Sequence, residues 1–291
     1  MADDELILAA ADDALLVTAR RGFHAALLSN QLQIAADGIA SIADRGSKAS
    51  VAISANLVRR LGNEAEGARL AGQVAGAKFE TQVETLLKNV MPKLAILRCG
   101  DFRVFRNSAI TLYEQYEHLA AIEAATEEHP ALKVALGADY IIKPDVVVVR
   151  MPEPDETINT GALIVDGTVA NHTSIRRANN LKPILHASVS CKWTLRSDRA
   201  QNARSEALNL IRNRKGRLPH TVVVTAEPTP GRIASLALGT GDLDCVYHIA
   251  LPELRAAIEE LGYEDSLDLL DTMIDGKRLR DISDLPLDLA V

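Results

Sequence analysis

The chain has 291 residues and a net charge of −7; 47% of them are apolar, 24% charged and only 3% aromatic. That composition supports an ordinary folded core and disfavours an aromatic platform for stacking single-stranded nucleic acid. Three cysteines (Cys99, Cys191, Cys245) without CxxC spacing argue against a disulfide framework or structural zinc, and no apolar run approaches a membrane span, so a cytoplasmic protein is expected.

Residues 1–65 are Ala-rich with Ser, Asp and Gly breaks, and are expected to form helices and loops packed on the rest of the chain. From Glu64 to Val90, Ala68, Ala71, Ala75, Phe79, Val83, Leu86 and Val90 recur at three or four residues, which is the period of an amphipathic helix, with Gly72 or Gly76 as a potential break. A second helical pattern runs from Ala109 to about Ala125. The period then changes. Tyr140 to Arg150, through Val146–Val149, is β-branched and continuous, as in a strand buried on both faces. A loop-rich stretch with Pro152, Pro154, Gly161 and Gly167 follows. Ile184–Cys191 reads as the next strand, Arg199–Ile211 as a helix, Thr221–Thr225 as a third strand and Cys245–His248 as a fourth. Pro252–Leu261 and Tyr263–Met273 read as closing helices. Strands alternating with helices predict an α/β fold, with a mixed central β-sheet flanked by helices. No linker divides the chain, so residues 1–291 are expected to form a single domain.

The residues that carry chemistry are Pro144-Asp145 on one strand and Ser190-Cys191-Lys192 at the end of another. Phosphodiester hydrolysis needs a cation to neutralise charge on the phosphate, an activated water and a stabilised leaving oxygen. An Asp at a strand edge offers a hard oxygen to Mg²⁺, and a Lys beside it can hold the water and the phosphate. Spacing alone leaves a bland alternative, a strand entry and a Lys whose stem merely covers core. Glu206 and Glu80 are further candidate carboxylates; each could equally be a helix surface charge.

Charge is unevenly spread. From Lys192 to Arg217 there are Lys192, Arg196, Arg199, Arg204, Arg212, Arg214, Lys215 and Arg217, against only Asp198 and Glu206. One basic segment in an acidic body suits a protein that grips DNA in a cleft, although a solvated helix face would show the same charges. Arg matches guanine O6 and N7, and Asp accepts from cytosine N4, so Arg196, Asp198 and Arg199 could read adjacent G·C pairs. Ser197 or Asp198 would cap the helix that follows.

Together these residues resemble the NgoMIV-type restriction endonucleases of the PD-(D/E)xK nuclease superfamily. The resemblance lies in Pro144-Asp145, in the run from His186 to Glu206, in Arg212–His220, in Val224–Arg232 and in the tail from Asp281 to Val291. It implies a restriction-endonuclease-like core and Mg²⁺-dependent hydrolysis of double-stranded DNA at the palindrome GCCGGC, cut after the first G to leave a 5′-CCGG overhang. It also implies Asp145 and the main-chain carbonyl of Cys191 as Mg²⁺ ligands, with a pair of ions at each site. Lys192 would orient the water, Glu206 would replace the missing strand carboxylate, and Ser190 and Glu80 would complete the polar site. Arg196, Asp198 and Arg199 resemble the reader of the inner CCGG, Arg232 the major-groove reader of the outer pair, and Gln73 its minor-groove contact. A homotetramer holding two DNA sites is implied as well. The alternatives weighed are a structure-selective nuclease of repair or recombination, a non-catalytic DNA binder and a small-molecule enzyme; no phosphate loop or nucleophile elbow supports the last. His24, His118, His129, His172 and His248 show no ligand spacing, His186 and His220 lie beside strands and are expected in the core or behind the site, and Trp193 is expected to pack rather than stack on a base.

Overall fold

The computed structural model describes residues 13–62, 72–129, 131, 142–239 and 241–291. Its helices are α1 (Leu15–Asn30), α2 (Lys48–Arg60), α3 (Gly72–Val90), α4 (His118–Glu128), α5 (Asp155–Ile158), α6 (Ser197–Asn213), α7 (Pro230–Ala237), α8 (Leu251–Glu260), α9 (Glu264–Asp275) and α10 (Leu285–Asp288). The strands are β1 (Phe102–Arg106), β2 (Val146–Arg150), β3 (Ile184–Lys192), β4 (His220–Thr225), β5 (Cys245–His248) and β6 (Leu279–Asp281).

The strands form a mixed sheet in sequence order. β1 and β2 pair antiparallel, as do β2 and β3; from β3 to β6 every pairing is parallel. Val146–Val149 and β3 from Leu185 to Cys191 are buried throughout, which is why they read as near-continuous apolar runs. Helices α1, α2 and α3 pack one core against the sheet through Phe23, Leu27, Leu57, Phe79 and Val83. A smaller cluster gathers Tyr113, Tyr116, Leu119, Val147 and Leu210.

This topology fixes where chemistry can occur. Because β2 runs against β3, the start of β2 lies beside the end of β3, with Val146 opposite Val189. Because β4 runs with β3, Thr225 ends beside Lys192. The segments entering β2 and leaving β3 and β4 therefore meet at one end of the central strands, where α/β proteins usually place their ligands.

Several expectations need correction. Asp145 sits in a bend immediately before β2, not on a strand, and regular pairing begins only at Val146; residues 140 and 141 fall outside the described residues. Pro144 has no N–H to give a ladder, which helps to delay the strand. The helix expected over residues 109–125 is two 3₁₀ turns, Ile110–Leu112 and Glu114–Tyr116, before α4 begins at His118. Tertiary bonds hold those turns. The Gln115 side chain pairs with Leu185 through both its groups, donating to the carbonyl at 2.7 Å and accepting from the N–H at 2.9 Å, and the Tyr116 hydroxyl donates to Leu210 O at 3.0 Å. α3 starts at Gly72 and runs unbroken through Gly76, while residues 63–71 fall outside the described residues. The N-cap position of α6 is Arg196, without a capping side chain, and Ser197 and Asp198 lie inside the first turn. Pro230 opens α7 at a position proline tolerates because its missing N–H has no partner there, and Arg232 stands on the first turn of that helix.

Candidate active site and DNA-reading face

Asp145 and Lys192 meet where β2 begins and β3 ends. The Asp145 Oδ2 accepts from Lys192 Nζ at 3.0 Å and from the Cys191 N–H at 2.7 Å. Both bonds fall on one oxygen, so a cation held here would take the other, Oδ1. Along a strand side chains alternate, so Ser190 and Lys192 share a face and Cys191 turns into the core. On that shared face the Ser190 hydroxyl donates to Glu206 Oε2 at 3.2 Å, and Lys192 Nζ stands 3.9 Å from Glu206 Oε1. Glu206 thus reaches from α6 to the place a strand carboxylate would occupy.

Glu80 comes from α3, beside the fully buried Phe79, which packs edge-on against Trp193 at 5.2 Å. The Trp is a packing residue, as expected. Glu80 shares a side-chain hydrogen bond with Asn107, whose backbone N–H donates to Asp145 O at 3.2 Å. Asn107 has φ of 51°, a left-handed conformation that Asn tolerates better than most residues. Sequence analysis does not find Asn107, because a single Asn after a short strand carries no pattern.

The electrostatics follow from crowding three acids around one lysine. Burial pushes the Glu206 carboxyl up, as does the nearby Asp145, and Lys192 and Ser190 only partly oppose this. Burial and the Asp145 charge likewise raise Glu80, against Arg106, Lys192 and Asn107. Desolvation pulls the Lys192 ammonium down, but Asp145 and Glu206 outweigh it and leave a firmly charged lysine. Among the described residues no three Asp, Glu, His or Cys side chains converge to cage an ion. The donor set nevertheless suits Mg²⁺, which keeps several waters and binds through one or two carboxylates together with substrate phosphate.

Beyond Lys192 the chain passes directly to the basic segment. Arg196 and Asp198 are exposed at the start of α6, whereas Arg199 Nη1 is bonded to Thr194 through its carbonyl at 3.2 Å and its hydroxyl at 2.9 Å. An open cavity of about 450 Å³ is lined by Asp44, Leu195, Arg196, Gly231 and Arg232, so Arg196 and Arg232 face the same space. Arg232 donates to the Asp44 carboxylate, and its guanidinium, followed by the Gly46 N–H, holds the Asp44 carboxyl below the usual range. Asp44, on the loop before α2, is a second residue that sequence reasoning misses, since 188 positions separate the two partners. Glu227, fully buried beside this cavity, is a third. Gln73 lies exposed at the first turn of α3, two turns before Glu80 on the same side of the helix.

A mixed sheet that brings an Asp and a Lys together at the facing ends of neighbouring strands, with helices on its faces, defines a restriction-endonuclease-like nuclease fold. The NgoMIV restriction enzyme family matches residues 23–291, and the chain belongs to that family. It is 51% identical over 283 residues to the type II restriction enzyme NgoMIV of Neisseria gonorrhoeae, an alignment covering 95% of this chain and 99% of the relative. This protein is accordingly a restriction endonuclease. No helix among the described residues is long and apolar enough to cross a membrane.

Proposed function

We propose that the protein is a Mg²⁺-dependent type II endonuclease of one domain that recognises GCCGGC in double-stranded DNA and cuts after the first G, leaving 5′-phosphate and a 5′-CCGG overhang. The observation that carries the catalytic part is the Asp145–Lys192–Glu206 cluster at that end of the central strands, one loop away from the arginines that face the groove.

A divalent cation held by Asp145 and the Cys191 carbonyl, with a second one shared with Glu206, would supply the positive charge that the phosphate needs as it becomes five-coordinate. The chain's own groups do the rest. Lys192 presents an ammonium, fixed by Asp145, against the attacking water and a phosphate oxygen. Ser190 holds Glu206 in place. Asn107 ties Glu80 to the same backbone segment, so three elements of the fold set the geometry before DNA arrives.

For base reading, Arg196 and Arg199 supply paired donors to the guanines of the inner CCGG, and Asp198 accepts from a cytosine. Arg232 reads the outer guanine. Its partner Asp44 has the acceptor chemistry for the cytosine of that pair, so the ion pair seen without DNA gives way to two base contacts. Gln73 approaches the outer pair from the minor groove. The segment between β2 and β3 exposes Leu163, Ile164, Val169 and Leu181. A homotetramer holding two sites would offer these side chains another chain to pack against.

The test is digestion, with Mg²⁺, of a plasmid carrying two GCCGGC sites and of a second in which they are ACCGGT. Cutting of the first alone, lost on Asp145→Ala, is the expected result. Cutting of both would remove the roles given to Arg232, Asp44 and Gln73, and cutting of neither would remove the proposed sequence.

A further inference from the structure

Glu227 is a carboxylate with no exposed surface, and burying such a group is costly unless its oxygens are well used. Here each oxygen serves a different segment. Oε2 accepts from the Leu195 N–H at 2.9 Å, and Oε1 accepts from the Thr229 N–H at 3.1 Å. Leu195 immediately precedes Arg196, and Thr229 is the N-cap of the helix whose first turn carries Arg232. Glu227 Oε2 also stands 3.9 Å from Arg232 Nη1, and the Glu227 N–H is itself anchored on Thr225 Oγ1 at 3.1 Å, at the end of β4.

We propose that Glu227 is a positioning residue that couples the two halves of base recognition, locking the Arg196 loop and the Arg232 helix into one rigid unit. The inference rests on the reading of Arg196 and Arg232 as base readers. The chemistry of the bridge is specific to a carboxylate. Only an acceptor-only group can take an N–H on each oxygen; a glutamine in the same place turns its NH₂ against one of the two backbone donors. Glu227 also remains as the counter-charge of Arg232 when Asp44 turns to the DNA. Arg232 therefore keeps its orientation while it exchanges one partner for a base. Because the bridge also holds the inner reader, a wrong outer base pair is felt at Arg196 and not only at Arg232.

The test uses the full chain and two duplexes, one with GCCGGC and one with ACCGGT, bound in Ca²⁺ so that no strand is cut. Glu227→Gln is expected to lower the ratio of the two dissociation constants by about tenfold, the scale of a lost hydrogen bond to a charged group. In an Arg232→Ala background it should change that ratio no further. A merely structural role would weaken both duplexes alike, or add its effect to that of Arg232→Ala; either result overturns the proposal. If Glu227→Gln does not fold, Glu227→Asp keeps the charge but is too short to span both donors and should shift the ratio the same way; an unchanged ratio there rejects the bridge. If Arg232→Ala alone leaves the ratio intact, the reading of Arg232 has failed first and the coupling falls with it.

Discussion

At the scale of single residues, the proposed catalytic cluster is defined by an imbalance. Asp145, Glu80 and Glu206 share one lysine, and the two glutamates are pushed up first by burial and further by the charge of Asp145. That imbalance opposes the approach of a phosphate until a cation is present. Asp145→Asn separates the two effects: cleavage should fall by on the order of a thousandfold, the loss seen when a preorganised charge-stabilising group is removed. Binding of a GCCGGC duplex without metal should be no weaker than in the parent. Single-turnover cleavage and fluorescence anisotropy measure the pair, and weaker binding in the variant would show that repulsion by Asp145 is not the controlling term.

Among the elements, α3 has two duties, since Phe79 packs the core and its neighbour Glu80 faces the site. Phe79→Ala should cost about 3–5 kcal/mol, the range for a fully buried aromatic. It should slow cleavage too, because Trp193, which leads into the reader loop, loses its edge-on partner. Urea unfolding checks the first claim, and a loss below about 1 kcal/mol would mean that the contact collapses without cost. Elements whose own residues repay burial were legible in sequence: the valine runs of β2 and β4 and the three-to-four spacing along α3. β1 was not, because in Phe102–Arg106 the exposed positions are Arg103 and Phe105 and only Val104 is buried. β6 was not either, being three residues long. The helix expected over residues 109–125 holds from His118 onward, but its first half lost to bonds that Gln115 and Tyr116 make with distant backbone. The site followed the same rule. Asp145, Lys192 and Glu206 lie in a recognisable pattern, whereas Asn107, Asp44 and Glu227 matter only for what folding brings beside them.

For the whole molecule, buried histidines make stability depend on acid. Desolvation lowers His186 and His248 to about 4, although each makes a backbone hydrogen bond, and His24 is lowered for the same first reason. A histidine whose folded pKa lies below its unfolded value favours the neutral form, so stability falls as pH drops from about 6.5 towards 4. The His186 and His248 pair can change stability by at most about 2.7 kcal/mol per pH unit in that window. His248→Asn, which keeps an acceptor for the Ala250 N–H, should reduce that slope in urea titrations between pH 7 and 5. An unaltered slope would assign the acid sensitivity elsewhere.

The contacts that close the molecule join regions far apart in the chain. Arg20 is bonded to Asp281 across 261 positions and to Glu253, and His186 on β3 is bonded to the Leu289 carbonyl. During synthesis the bonds to Asp281 and Leu289 cannot form until those residues have emerged from the ribosome, whereas the Arg20–Glu253 pair is possible earlier. Until then Asp145, Lys192 and Glu206 stand on a sheet that lacks its last strand and its far-end clasp. A product that stops short of Asp281 would carry the proposed cutting groups without the contacts that close the scaffold beneath them.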